Sequence, residues 1–169
     1  MCIVERLDQL YALFLGRFLM LLRVLGVPVL GTADFKRSYQ LDDYSCGAHS
    51  AYMIARHFGI WWVPYTKVKR QLKTNEDGTT LRPILQFFRK HKLKTNYRPN
   101  MYFKDLKGAL ARDAVVMVHV DGDHLAVVHG MTDSHVYLAD PSIVRTFGRR
   151  VTKETFLRRW SRWGITVRR

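Results

Sequence analysis

Residues 114–141 read AVVMVHVDGDHLAVVHGMTDSHVYLADP, and this stretch sets the fold class. Two β-branched runs, 114–120 and 124–130, flank the acidic turn Asp121-Gly122-Asp123, a pattern that predicts a β-hairpin. The segment 135–141 then alternates and stops at Pro141, which predicts a third strand. Upstream the apolar steps are three and four residues, as helix faces require. They predict helices over 46–58 with Gly59 as a left-handed stop, over 66–73, over 81–91 and over 103–112. Thr79 or Thr80 would cap the third of these, with Pro83 tolerated in its first turn. Downstream, 153–160 reads as a helix from which Trp160 and Trp163 face the core, and ITVRR (165–169) as a closing strand. Helices first and an antiparallel sheet second make an α+β chain, not a series of βαβ units.

The chain has 169 residues, long enough for one domain with a real core. Apolar residues make up 47%, which excludes an intrinsically disordered basic protein. Cys2 and Cys46 are too few for a disulfide framework and lack zinc-ligand spacing. The net charge of +14 suggests nucleic acid or an anionic membrane, but it is unevenly placed. Residues 67–98 carry ten Lys/Arg against two acids, and residues 145–169 carry nine against one, so each block is +8. The remaining residues sum to −2. Both blocks are electrostatic context until something specific uses them.

Residues 7–30 are the most hydrophobic segment, with Leu7, Leu10, Tyr11, Phe14, Phe18, Leu21, Leu22 and Leu25 at helical spacing. Arg17 and Arg23 interrupt it, so no uncharged run reaches the length of a spanning helix. It reads as a helix packed on the domain, or as an interfacial helix with its arginines at anionic headgroups. Two acids in the leading residues argue against a signal peptide, while Gly31-Thr32-Ala33 resembles a cleavage site and leaves secretion open. The expected locations are the cytoplasm or the membrane periphery.

Cys46 opens a predicted helix just after Ser45, a good capping residue. The helix dipole and free N–H groups there favour a thiolate. A nucleophilic cysteine also needs a base, a group to orient that base, and oxyanion donors. His124 begins the second strand of the hairpin and Asp140 ends the third. If those strands are adjacent and antiparallel, the two meet at one sheet edge as part of a Cys–His–Asp triad. Gln40, six residues before Cys46, is a side-chain N–H donor that could join the Cys46 backbone N–H in an oxyanion hole, although a glutamine before a helix is usually solvated. No metal site competes: HExxH is absent, and His49 and His57 lie two turns apart. No cofactor is implied.

The string YQLDDYSCGAHSAYMIARHFG (39–59), followed by DHLAVVHG (123–130) and VYLADPS (136–142), resembles the bacteriocin-processing, double-glycine cysteine peptidases and their papain-like, stand-alone bacterial relatives. The resemblance covers roughly residues 37–169 and implies a papain-like fold with N-terminal helices packed on a C-terminal antiparallel sheet. Residues 1–36 are then a hydrophobic, amphipathic extension. It also implies that Cys46 is the nucleophile, His124 the general base and acid, Asp140 the orienting residue and Gln40 the oxyanion donor. The substrate would be a peptide cleaved after small residues such as Gly-Gly. Many leader-processing members carry Asp immediately before the cysteine. Here Ser45 stands there, with Asp42 and Asp43 earlier, and the chain brings no transporter, so it reads as closer to the stand-alone relatives.

Two other classes stand beside this reading. One is an inactive module on the same fold, binding an anionic membrane or nucleic acid through 67–98 and 145–169. No recognisable nucleic-acid motif accompanies those blocks, although FLRRWSRWGITVRR (156–169) interleaves aromatics with arginines. The other is a secreted antibacterial effector. Oligomeric state is not legible.

Overall fold

The computed structural model describes residues 30–31, 35–143 and 150–169. Cys2, the 31–33 string beyond Gly31, and the helix read over 7–30, except Leu30, lie outside them. In chain order the elements are β1 (Leu30–Gly31), α1 (Cys46–His57), α2 (Tyr65–Gln71), α3 (Leu81–Lys90), β2 (Lys94–Arg98) and α4 (Phe103–Leu110). There follow β3 (Val115–Val120), β4 (His124–Met131), β5 (His135–Ala139), β6 (Arg150–Thr152), α5 (Lys153–Arg159) and β7 (Trp160–Arg168). All strand pairs are antiparallel, in the order β2-β7-β3-β4-β5-β6, with β1 paired to the far end of β4. The α+β class is as the sequence implies.

The hairpin forms as its turn predicts. Asp121 and Gly122 both take positive φ, 54° and 82°, and Val120 pairs with His124 across the three-residue loop. Arg159 clamps the loop from α5: its side chain donates to both Asp121 carboxylate oxygens, and its carbonyl accepts from the Asp121 N–H at 2.9 Å.

Every residue of β4 is buried, because helices cover both faces of the sheet. Alternate residues enter two separate cores. Leu125 and Val127 pack with Met117, Ile165 and the helices α1 to α3; Ala126 and Val128 pack with Val116, Val118 and the α4 and α5 side chains Leu106, Leu110 and Phe156. This explains the near-continuous apolar run at 124–130, where a sheet with one wet face would alternate.

Several local readings are corrected. Thr80 occupies the N-cap of α3 but makes no side-chain cap bond, and the Thr79 hydroxyl instead pairs with that of Thr74 at 2.8 Å. The last helix ends at Arg159, so Trp160 and Trp163 lie in β7 rather than on a helix. Three residues apart in a strand point to opposite faces, and the two indoles accordingly join different cores. The closing strand is longer than ITVRR, nine residues from Trp160 to Arg168, and runs between β2 and β3. The short strands β1, β2 and β6 have no counterpart in the sequence reading. β2 alternates in burial but reads KTNYR, without the aliphatic signal that marks a strand.

Candidate active site

Helix α1 packs against β4, and that packing brings the N-terminus of one to the start of the other. The Ser50 hydroxyl, one turn after Cys46, donates to the carbonyl of Leu125, the residue after His124, at 3.0 Å within the core. Gly47 is needed for the same approach. A Cβ there would lie 2.8 Å from Thr79 Cβ, closer than real Cβ atoms come, and 3.1 Å from Leu125 Cδ1, tighter than nine in ten such contacts. The Cys-Gly pair thus combines a thiol at a helix start with a neighbour small enough to let β4 in.

The three chemical groups converge. His124 Nε2 lies 2.7 Å from Asp140 Oδ1, with both side chains buried. With Nε2 taken, Nδ1 is the nitrogen left to meet Cys46, whose side chain is hydrogen-bonded to His124. Cys46 itself is 7% exposed, at the first position of α1. Burial pushes the His124 imidazole down, but its bonds to Asp140 and Cys46 and their negative charge outweigh this and raise it to about 9. Asp140 is in turn held on several sides. Its Oδ1 also accepts the Ser142 N–H at 2.8 Å, and its carbonyl accepts from the Arg37 guanidinium.

Gln40 is buried beside this group. Its backbone N–H donates to the Pro141 carbonyl at 2.9 Å, joining the segment before the nucleophile to the turn after Asp140. Its side-chain Nε2 donates to the Asp42 carbonyl at 2.7 Å. Exchanging the amide oxygen and nitrogen would set two acceptors against each other, so the NH₂ orientation is defined, and its second N–H remains available.

Ser45 sits at the N-cap position but does not cap with its hydroxyl, contrary to expectation. Asp42 ties down the turn leading into α1: its carboxylate accepts the Ser45 N–H at 2.8 Å and that of Tyr44 at 3.3 Å. Lys69 of α2 reaches the other Asp42 oxygen and the Tyr44 hydroxyl, each at 3.2 Å. Burial pushes the Asp42 carboxyl up, but these bonds from Ser45 and Lys69 hold it below the ordinary value. Asp42 therefore links the Gln40 amide to the helix start, a role the sequence reading left unassigned. A signal was present in the Asx–x–x spacing to Ser45.

His49 serves structure. It is stacked on Tyr65 with ring centroids 4.0 Å apart, and its Nδ1 pairs with the Ser38 hydroxyl at 2.8 Å. Burial lowers it to about 4, so it stays neutral through the physiological range. No cluster of three or more metal-ligating side chains occurs among the described residues.

Histidines lowered by burial shape the acid side of the pH dependence of stability. Between about 4 and the unfolded value of 6.5, the unfolded chain binds the His49 proton and the native chain does not, so stability rises with pH. His57, lowered by burial, adds to this limb. The melting temperature should therefore rise between about pH 4 and 6.5, and a His49→Gln variant should flatten that rise.

The chain matches the peptidase C39 family over residues 34–169. Among solved structures it is similar to a double glycine motif protease from an AMS/PCAT transporter in complex with the leader peptide, at 22% identity and a TM-score of 0.67, covering 81% of this chain and 93% of that one. The peptidase domain of Streptococcus ComA, a bi-functional ABC transporter of a quorum sensing pathway, gives 23% identity and a TM-score of 0.65 over 79% and 98%. A C39-like peptidase from Bacillus anthracis gives 15% and 0.69 over 84% and 98%. No sequence among curated proteins matches the chain. A family match over most of the length, on an α+β frame that carries a buried Cys–His–Asp group, assigns the chain to the peptidase C39 family, cysteine peptidases of papain-like fold.

Proposed function

We infer that the chain hydrolyses a peptide bond on the carboxyl side of small residues, with Gly-Gly as the favoured pair, through Cys46, His124, Asp140 and Gln40. The observation that carries this reading is the buried His124, bonded to Asp140 at 2.7 Å and to the Cys46 side chain. An imidazole raised to about 9 keeps its proton at neutral pH, so it stabilises the thiolate and can give that proton to the leaving amine. The thiolate attacks the scissile carbonyl carbon. The oxyanion is received by the free N–H of Gln40 and by the Cys46 backbone N–H, one of the unpaired donors at a helix start. The C–N bond breaks as the amine takes the proton from His124, leaving a thioester. Water then gives a proton to the neutral imidazole as it attacks the thioester, and the acid product departs from the regenerated thiolate.

The described structural relative carries a leader peptide, which supports a peptide substrate here, and Gly-Gly specificity rests on the family resemblance. The decisive experiment is a panel of peptides with Gly-Gly, Gly-Ala or bulky pairs at one position, with the cleaved bond located by mass spectrometry. Cleavage after the small pairs is expected, and loss of about 10²- to 10³-fold in rate for Gln40→Ala. Preference for bulky pairs would reject the specificity, and an unreactive Cys46 toward electrophilic probes would reject peptidase chemistry in favour of a binding module.

A further inference from the structure

Two adjacent tryptophans stand out on the surface. Trp61 is 53% exposed and Trp62 72%, although both neighbours in the chain, Ile60 at 4% and Val63 at 2%, are buried. The Ile60 N–H is bonded to the Ala55 carbonyl at 2.9 Å. The segment is thus pinned on both sides, and the two indoles are held outward by the fold rather than by fraying. Cations gather around them. The Arg56 guanidinium lies 4.4 Å from the Trp61 ring centroid and the Lys36 ammonium 6.0 Å. The Arg169 guanidinium, bonded to the Phe58 carbonyl, borders Gly59 together with the Trp61 indole nitrogen. No acidic residue occurs between Asp43 and Glu76.

We propose that Trp61 and Trp62, ringed by Lys36, Arg56 and Arg169, form a docking surface for an anionic lipid bilayer. Indoles favour the headgroup layer, where the ring is buried and the N–H stays hydrated. Lysine and arginine beside them are drawn to the negative surface of that layer. Nucleic acid fits less well, because the Arg56 guanidinium already covers one face of Trp61 and leaves fewer ring faces for base stacking.

The place of the patch agrees with this occupant. It follows the C-terminus of α1, while Cys46 stands at the N-terminus, roughly 18 Å away along a helix of that length. Docking would leave the thiol clear of the lipid. Phe35 stacks near His57 and His129 at the same end, with centroids 5.0 and 5.1 Å away, and Leu30 pairs with Met131 at the end of β4 remote from His124. The chain therefore enters the domain at the end that carries the tryptophans. Residues 7–30, amphipathic and bearing Arg17 and Arg23, precede that entry in sequence.

The test uses the full chain with vesicles of phosphatidylcholine alone and of phosphatidylcholine with phosphatidylserine. Co-sedimentation is expected with the anionic vesicles and should weaken as salt rises from about 0.1 M to about 0.5 M. Trp61→Ala/Trp62→Ala should bind them about tenfold or more weakly, and Lys36→Glu/Arg56→Glu likewise, with Cys46 labelling by an electrophilic probe unchanged as the control for folding. Brominated lipid should quench wild-type fluorescence, and that quenching should be lost in Trp61→Phe/Trp62→Phe. Undiminished vesicle binding by the tryptophan variants would overturn the proposal. So would absence of vesicle binding together with a tryptophan-dependent affinity for single-stranded DNA.

Discussion

Cys46→Ala should lose peptide hydrolysis altogether, by on the order of 10⁶ in kcat if the group behaves like other nucleophile–base units. It should also lose all labelling at this position by electrophilic probes, as read by intact mass. The fold should survive. Cys46 begins α1 and is buried in a helix, where alanine is the best helix former and removes only one sulfur from the packing. An unchanged melting profile beside a dead enzyme would separate chemistry from stability. Residual turnover near the wild-type rate would mean that the thiol takes no part. Because the three groups act as one unit, adding His124→Ala to this variant should cost little more.

Asp140→Asn should lower kcat/KM by about 10²-fold or more and should move its alkaline limb to lower pH. A triad carboxylate in a serine enzyme is worth about 10⁴. A smaller effect is expected here, because a thiol gives up its proton to the imidazole more readily than a hydroxyl does. Asp140 acts through His124 as a positioning residue, and the pH profile is the readout that distinguishes this from simple loss of structure. Burial alone pushes His124 down, and the bonds and charges of Asp140 and Cys46 bring it up to about 9. Without the Asp140 charge the imidazolium should deprotonate earlier, so the active form should disappear at lower pH. The asparagine keeps an oxygen for the Ser142 N–H that Oδ1 accepts at 2.8 Å. Asp140→Ala should be worse for stability, by about 3–5 kcal/mol, since it leaves His124 buried without its partner. An Asp140→Asn enzyme with an unmoved alkaline limb would reject the role.

The helices and the hairpin were legible because their signals are local. Gly59 ends α1 with a φ of +80°, as a left-handed stop should, and Asp121-Gly122 supplies the two positive φ values that the hairpin turn needs. What escaped notice depends on partners distant in sequence. The polar segment 94–98 carries no strand signal of its own, yet it becomes a strand because β7 offers it a complete ladder from Lys94↔Arg168 to Arg98↔Gly164. Ser45 looks like a cap by type, but Asp42 takes that part of the turn, itself anchored by Lys69 from a different helix. Helical spacing also misassigned Trp160 and Trp163, whose chain had already passed from α5 into a strand.

By itself the sequence determined the α+β order, the helix that begins at Cys46, and the strand ends that carry His124 and Asp140. Each follows from side-chain periodicity and turn chemistry within a few residues. Only the tertiary structure decided that the histidine and the aspartate meet at 2.7 Å, and that the Ser50–Leu125 bond draws the cysteine helix onto the histidine strand. It also decided that two tryptophans of an otherwise apolar string face outward. The physical reason is environment. Whether an aromatic side chain is core or surface depends on which groups exclude water around it, and whether a buried imidazole keeps its proton depends on which charges and hydrogen-bond partners reach it; both come from distant parts of the chain.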